Sequence, residues 1–256
     1  MNLIPIPAFT DNYLWLLHTQ GQAVVVDPGD AAPVVATLQA LGLELSHTLL
    51  THHHADHVGG VLALRERYPS MVVYGPAFEQ IEGIDHRLEG SEAIEVLGQR
   101  FQVMALPGHT SGHIGYFCAN LALESASTPL VFCGDTLFSA GCGRLFEGTP
   151  EQMHASLQSL AALPAQTLVC CTHEYTLSNL RFAAAVEPGN PAIAAHTSKV
   201  LGLRAKNAPS VPSSIALELQ INPFLRTHVP EVVASARGFS ATASTFAALR
   251  QWKNQF

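Results

Sequence analysis

At 256 residues, with 48% hydrophobic and 13% charged side chains, the chain is long enough to bury a full core, as one large domain or as a domain with a small companion. Its formal net charge of -7, from 13 Lys and Arg against 20 Asp and Glu, leaves no basic footprint for nucleic acid. There is no polybasic run or apolar stretch of about eighteen residues to engage a membrane, and the start MNLIPIPAFTDNYLWLL lacks the basic head and small-residue cleavage site of an export signal, so a cytoplasmic location is expected.

Residues 3–9 and 13–18 read as strands, and residues 19–22 as a tight turn into a third strand over 23–27. Asp30 is placed to cap a helix carrying Val34, Val35, Leu38 and Leu41, which Gly42 ends. A buried strand over 47–51 runs straight into His52-His53-His54-Ala55-Asp56-His57. Over residues 56–68 the apolar Val61, Leu62 and Leu64, followed by Arg65, Glu66 and Arg67, have helical spacing. Further strands are predicted at 71–74, 100–106, 115–119, 129–133 and 167–172, with a helix over 150–163 before the last of them. After Tyr175 the chain turns to Ala-rich helical patterns broken by Pro188-Gly189-Asn190-Pro191, Pro209, Pro212, Pro223 and Pro230. The pattern predicts a layered α/β domain over residues 1–173, two sheets between helices, and a small helical domain over 174–256. Cys118, Cys133, Cys142, Cys170 and Cys171 are an odd number in apolar contexts, which suits reduced core thiols better than a disulfide framework.

Thirteen histidines are the oddity of the composition, and four of them fall within six residues. His52 and His54 are two apart, so an extended backbone turns both imidazoles to one side, while His53 points away. Asp56 and His57 follow where the chain turns and address a second point nearby, which suggests two adjacent metals. Further ligand candidates stand at the C-terminal ends of three other predicted strands: His109 in Pro107-Gly108-His109-Thr110, Asp135 in Phe132-Cys133-Gly134-Asp135-Thr136, and His173. His113 reads as a supporting histidine. Cys170 and Cys171, beside His173, read as core thiols rather than ligands.

These residues, in this order, resemble the metallo-β-lactamase superfamily, and within it the hydroxyacylglutathione hydrolase (glyoxalase II) family. The likeness runs through Thr51 to His57, Gly108-His109-Thr110, Gly134-Asp135-Thr136, Cys142-Gly143-Arg144, Phe146-Glu147-Gly148-Thr149, His173-Glu174-Tyr175-Thr176, Asn222-Pro223-Phe224-Leu225-Arg226 and Arg250-Gln251-Trp252-Lys253. The histidine motif is shared across many hydrolases of the superfamily, whereas the later segments are more specific to the thioesterase. The resemblance implies a four-layer αββα fold with a C-terminal α-helical domain, and two divalent metal ions, Zn2+ with Fe or Mn as alternatives. It assigns His52, His54 and His109 to one metal, Asp56, His57 and His173 to the other, and Asp135 to both. It further implies a glutathione thioester as partner, contacted by Arg144, Phe146, Tyr175, Arg250 and Lys253, in a protein expected to be monomeric. On charge pattern alone Arg250 and Lys253, which share a face of the predicted helix 245–254, read as a solvated basic helix end. The resemblance turns them into a clamp for the glycine carboxylate. Many relatives carry Lys and Tyr where this chain has Arg144 and Phe146; Phe keeps no hydroxyl, which removes a contact worth about 0.5–1.5 kcal/mol.

The implied reaction is hydrolysis of S-D-lactoylglutathione and related thioesters by a metal-bridging hydroxide, the second step of methylglyoxal detoxification. A thiolate leaving group with a pKa near about 8.5 departs without strong protonation, so no general acid is needed. An iron-dependent persulfide dioxygenase of the same fold needs one metal, where this chain offers donors for two. A β-lactamase typically lacks an acid equivalent to Asp135, and a nuclease would need a basic surface. A noncatalytic metal-binding module leaves the full donor set and the C-terminal basic pair unexplained.

Overall fold

The structure, a computed structural model, describes residues 1–123 and 126–256. The chain divides into two compact units, residues 1–106 with 111–134, and residues 107–110 with 135–256.

In the first unit β1 (Asn2–Ala8), β2 (Asn12–Thr19) and β3 (Gln22–Val26) form an antiparallel meander. The sheet then continues in parallel through β4 (Glu44–Leu49), β5 (Val72–Pro76) and β6 (His86–Leu88). Parallel neighbours need crossovers. Here α1 (Ala31–Leu41) joins β3 to β4, and α2 (Ala55–Val58) with α3 (Val61–Arg67) joins β4 to β5. Val34 and Leu38 of α1 and Val61 and Leu64 of α3 pack in one cluster with Leu14, Leu16, Val25 and Val73 of the strands. Tyr13, Trp15 and Leu17, on the other face of β2, are buried as well, so this sheet is covered on both sides. A second, antiparallel sheet runs β7 (Ala93–Val96), β8 (Gln99–Ala105), β9 (Ile114–Leu123) and β10 (Ala126–Gly134).

Asp30 caps α1 as expected, its side chain accepting from the Ala32 amide at 2.9 Å, and Gly42 closes the helix at φ 64°. The single helix expected over 56–68 is instead two, broken at Gly59-Gly60. The break is a close backbone crossing. The Gly60 amide donates to the Pro28 carbonyl at 2.9 Å. A Cβ on Gly60 would stand 2.5 Å from the Pro28 oxygen and 2.6 Å from the Ala31 nitrogen. The segment after β3 and the histidine segment therefore touch through bare backbone.

The second unit opens with a small hairpin, β11 (Leu137–Phe138) and β12 (Gly141–Cys142), followed by α4 (Pro150–Ala161) and β13 (Leu168–Cys171). Then come α5 (Thr176–Val186), α6 (Pro191–Arg204), β14 (Ser213–Ser214), α7 (Ile215–Ile221), α8 (Pro230–Phe239) and α9 (Thr245–Gln255), with β14 paired to β13. Pro150 begins a helix as expected, and Pro191 and Pro230 also begin helices rather than break them, where their missing N–H costs nothing. α7 ties the hairpin down from inside. The buried Glu218 carboxylate accepts from the Ala140 amide at 2.8 Å, and Asn222 Nδ2 donates to the Phe138 and Gly141 carbonyls at 3.1 and 2.9 Å. Burial pushes the Glu218 pKa up, and its hydrogen bonds pull it back only in part. No helix among the described residues is long and apolar enough to cross a membrane.

Gly60→Ala forces two backbone segments apart and is expected to destabilise the protein by about 1–3 kcal/mol in urea unfolding; Gly202→Ala, where a Cβ meets nothing within 4 Å, is the tolerated control.

Candidate metal centre

β4 ends at Leu49, and residues 51–54 carry three consecutive histidines through backbone without regular structure. His52 Nε2 lies 3.1 Å from His54 Nδ1, and the ring of His52 packs 3.9 Å from that of His57. Asp56 and His57 stand in the single turn of α2, with His57 Nε2 3.7 Å from Asp56 Oδ2. Asp27 aims this set. It is buried at the end of β3 with φ 50°, and accepts from the Thr51 amide at 2.8 Å, the Thr51 hydroxyl at 2.7 Å and His57 Nδ1 at 3.0 Å. Two tautomers follow. An Nδ1–H facing a carboxylate leaves the His57 Nε2 lone pair open. The Thr51 hydroxyl spends its proton on Asp27, so at 3.1 Å it accepts from His52 Nδ1 and leaves His52 Nε2 as a base. Asn12 Nδ2 holds Asp56 Oδ2 at 3.0 Å. His113 is buried, its ring stacked 4.8 Å from His52 and its Nε2 2.7 Å from where a Cβ on Gly134 would sit, so it braces the loop from below.

The second unit brings together His109, Asp135 and His173. His109 Nδ1 donates to the Arg144 carbonyl at 2.8 Å, which leaves its Nε2 facing Asp135. His109 Nε2 and His173 Nε2 lie 3.5 and 3.4 Å from the same oxygen of Asp135, Oδ2. These separations are long for hydrogen bonds. They match two ligand atoms that share an ion at about 2.1 Å in tetrahedral geometry, which stand about 3.4 Å apart. Neutral imidazole nitrogens backed by fixed Nδ1–H partners, with carboxylate oxygens among them, suit a divalent metal. The candidate ligand groups contain no cysteine. Burial pushes the Cys171 thiol up to about 12.

Around the second set, Tyr175 stacks on His173 with ring centroids 4.6 Å apart, Phe138 meets both edge-on, and Phe146 stands edge-on to His109 at 5.2 Å. Phe146 is 63% exposed. Arg250 and Lys253 do share a face of α9, but they are placed differently. Arg250 is only 4% exposed, lies over the Phe224 ring, and its Nη1 donates to the Cys142 carbonyl at 2.9 Å. Lys253 reaches across to α5, where Nζ donates to the Ser178 carbonyl and hydroxyl at 3.3 and 3.4 Å. Burial first, then the positive charges of Arg250, Arg181 and Arg144, bring the Lys253 pKa down to about 8. Among the described residues none of these four cations pairs with a carboxylate. Asp27 and Arg181 were not found as site residues by sequence reasoning. Asp27 reads as a strand end, and Arg181 as the exposed side of an Ala-rich helix.

Residues 9–173 match the Metallo-beta-lactamase superfamily model, and residues 174–256 match the model described as Hydroxyacylglutathione hydrolase C-terminus. A hydroxyacylglutathione hydrolase of Albidiferax ferrireducens is 58% identical over 260 residues and covers 100% of both chains. Among solved structures, ETHE1 from Myxococcus xanthus is 25% identical with a TM-score of 0.66, covering 99% of this chain and 98% of its own. TTHA1623, solved in a di-iron-bound form, is 27% identical with a TM-score of 0.60, covering 87% of this chain and 100% of its own.

Asp27→Asn leaves an amide where three donors now meet a carboxylate, so at least one donor of Thr51 or His57 loses its acceptor. Zinc affinity, measured by competition with a chromophoric chelator, is expected to fall about 10–100-fold; wild-type affinity would show that Asp27 does not orient the ligands.

Proposed function

Because the chain belongs to the hydroxyacylglutathione hydrolase family of the metallo-β-lactamase superfamily, we propose that it is a metal-dependent thioesterase hydrolysing S-D-lactoylglutathione and related S-2-hydroxyacylglutathiones to glutathione and a 2-hydroxy acid, the second step of methylglyoxal detoxification. The observation that carries this reading is the oriented donor set: imidazoles whose far nitrogens are tied down, with carboxylate oxygens alongside. In this reading His52, His54 and His109 hold one divalent ion, Asp56, His57 and His173 hold the other, and Asp135 serves both. Zinc is the favoured ion, with iron or manganese as alternatives, since nitrogen and oxygen donors discriminate weakly among them. Residues 1–173 supply the catalytic domain and residues 174–256 the substrate-binding domain of a cytoplasmic monomer.

When bound, such ions acidify water to near neutrality and draw charge from a carbonyl oxygen. The chain's own residues do the rest. Asp27, Thr51 and the Arg144 carbonyl hold the imidazoles in their ligand tautomers, so the ligands need no rearrangement during turnover. Asp135, with one oxygen near both His109 and His173, would orient the attacking hydroxide in this reading. No general acid is required, because the departing thiolate has a pKa near about 8.5. Glutathione brings two carboxylates and one ammonium, and Arg144, Arg250 and Lys253 supply cations that pair with no carboxylate among the described residues. Phe146 and Tyr175 offer ring faces beside His109 and His173, so the lost hydroxyl at Phe146 removes a hydrogen bond and leaves an apolar wall.

Purified protein is expected to hydrolyse S-D-lactoylglutathione, to lose activity on chelation, and to hold about two metal ions per chain. Fully metallated protein without turnover sinks the reading. Lys253 adds a pH signature. Its pKa of about 8 means that it is charged at pH 7 and loses its proton as pH rises through 8, so KM is expected to climb between pH 7 and 9. Lys253→Arg stays charged throughout and should flatten that rise; parallel pH profiles would remove Lys253 from the binding site.

A further inference from the structure

His53 sits between two proposed ligands, its ring edge-on to that of His54 at 5.0 Å, and it finds a further partner of its own. Its Nδ1 lies 2.9 Å from Oε2 of Glu79, in the segment that follows β5. The Glu79 side chain is only 2% exposed, whereas that of His53 is 33% exposed. A buried carboxylate is costly unless it is well held, and no step of the proposed hydrolysis uses this one. The backbone that carries it is held by Arg87. Arg87 Nη1 donates to the Glu79 carbonyl at 3.0 Å, and Nη2 reaches the Ile81 carbonyl at 3.3 Å. On the other side a Cβ on Gly112 would stand 2.6 Å from Glu79 Cγ, so that loop lies directly against it.

The mechanical consequence comes from the backbone. Residues 51–54 have no helical or sheet ladder to set their roll. In extended chain, alternate side chains point to opposite sides, so fixing the direction of one residue fixes that of its two neighbours. Thr51 is held by Asp27 at the start of this run, and His57 by the same carboxylate at its far side. His53 is the point between them, and Glu79 pins it.

We propose that Glu79 is a positioning residue: through His53 it sets the roll of residues 52–54 and so aims His52 and His54 at a common ion. The inference rests on the reading of those two histidines as ligands. It is tested on the full chain by competing Zn2+ between the protein and a chromophoric chelator, with apo-protein melting followed in parallel. Glu79→Ala and His53→Ala are each expected to lower zinc affinity about 10–100-fold, and the double variant to lose no more than either alone. Glu79→Gln keeps an oxygen that accepts from Nδ1–H and should recover most of the affinity. The proposal is overturned if folded Glu79→Ala binds zinc like wild type, if the two losses add, or if Glu79→Ala only lowers the apo melting temperature with affinity intact. Should Glu79→Ala fail to fold, His53→Ala and Glu79→Gln decide the matter, since His53 is partly exposed and Gln preserves the packing. A wild-type protein that binds no zinc would instead defeat the metal reading itself, which separates the two failures.

Discussion

One buried carboxylate organises the first unit. Asp27 ends β3 in a left-handed backbone conformation and receives three hydrogen bonds, two from Thr51 and one from His57. Its own backbone is bonded to Leu49 and Gly29, so the group that aims the histidines is anchored in the parallel sheet itself. Removing an acceptor from such a network leaves buried donors stranded, which costs more than the bond was worth. The glycines that follow serve the same point. Gly29 passes against the Asp56 backbone and Gly60 against Pro28, and only residues without Cβ bring those segments within hydrogen-bond reach.

The second unit solves the same problem with different parts. Asp135 stands just after β10 and shares one oxygen between His109 and His173, while the Arg144 carbonyl fixes the tautomer of His109. That carbonyl belongs to the segment leaving the β11–β12 hairpin, which Glu218 and Asn222 hold from α7 and Arg250 holds from α9. The basic side chain of Arg250 thus has a structural task as well as a charge. Its guanidinium is bound to a carbonyl and laid over Phe224, so the segment bearing Arg144 and Phe146 is set by the C-terminal helix.

Most of the strands along the chain and the histidine-rich loop were legible in the sequence, because they depend on local signals. Alternation and apolar runs mark β2, β3 and β8 to β10, Asp30 and Gly42 mark the ends of α1, and four histidines in six residues mark a ligand loop. The break between α2 and α3 was not legible, because two glycines in a helical pattern look like weak helix rather than a backbone crossing, and the partner segment lies about thirty residues earlier in sequence. Asp27 escaped for a similar reason. A polar residue at a strand end is common, and only the fold brings it to Thr51 and His57. Arg250 and Lys253 were seen as a pair on one helix face, which is true, but helical spacing carries no information on depth. Arg181 gave no motif at all, and it emerges only through the fall in the Lys253 pKa.

The four cations near α9 carry the last step of the argument. Like charges brought together destabilise a fold, and the lowered pKa of Lys253 records its burial first and that repulsion second. Elsewhere the chain does pair its basic groups, Arg65 with Asp85, Arg204 with Glu174 and Arg226 with Glu187, so carboxylates are not scarce in a protein of net charge -7. A cluster with no paired carboxylate among the described residues, in an otherwise acidic molecule, is a local sacrifice of stability, of the kind that binding sites make. An anionic ligand relieves the repulsion and returns the Lys253 pKa toward its ordinary value. In the proposed function, recognition of a carboxylate-bearing thioester and relief of that repulsion would be the same event, with part of the affinity coming from strain already present in the free protein.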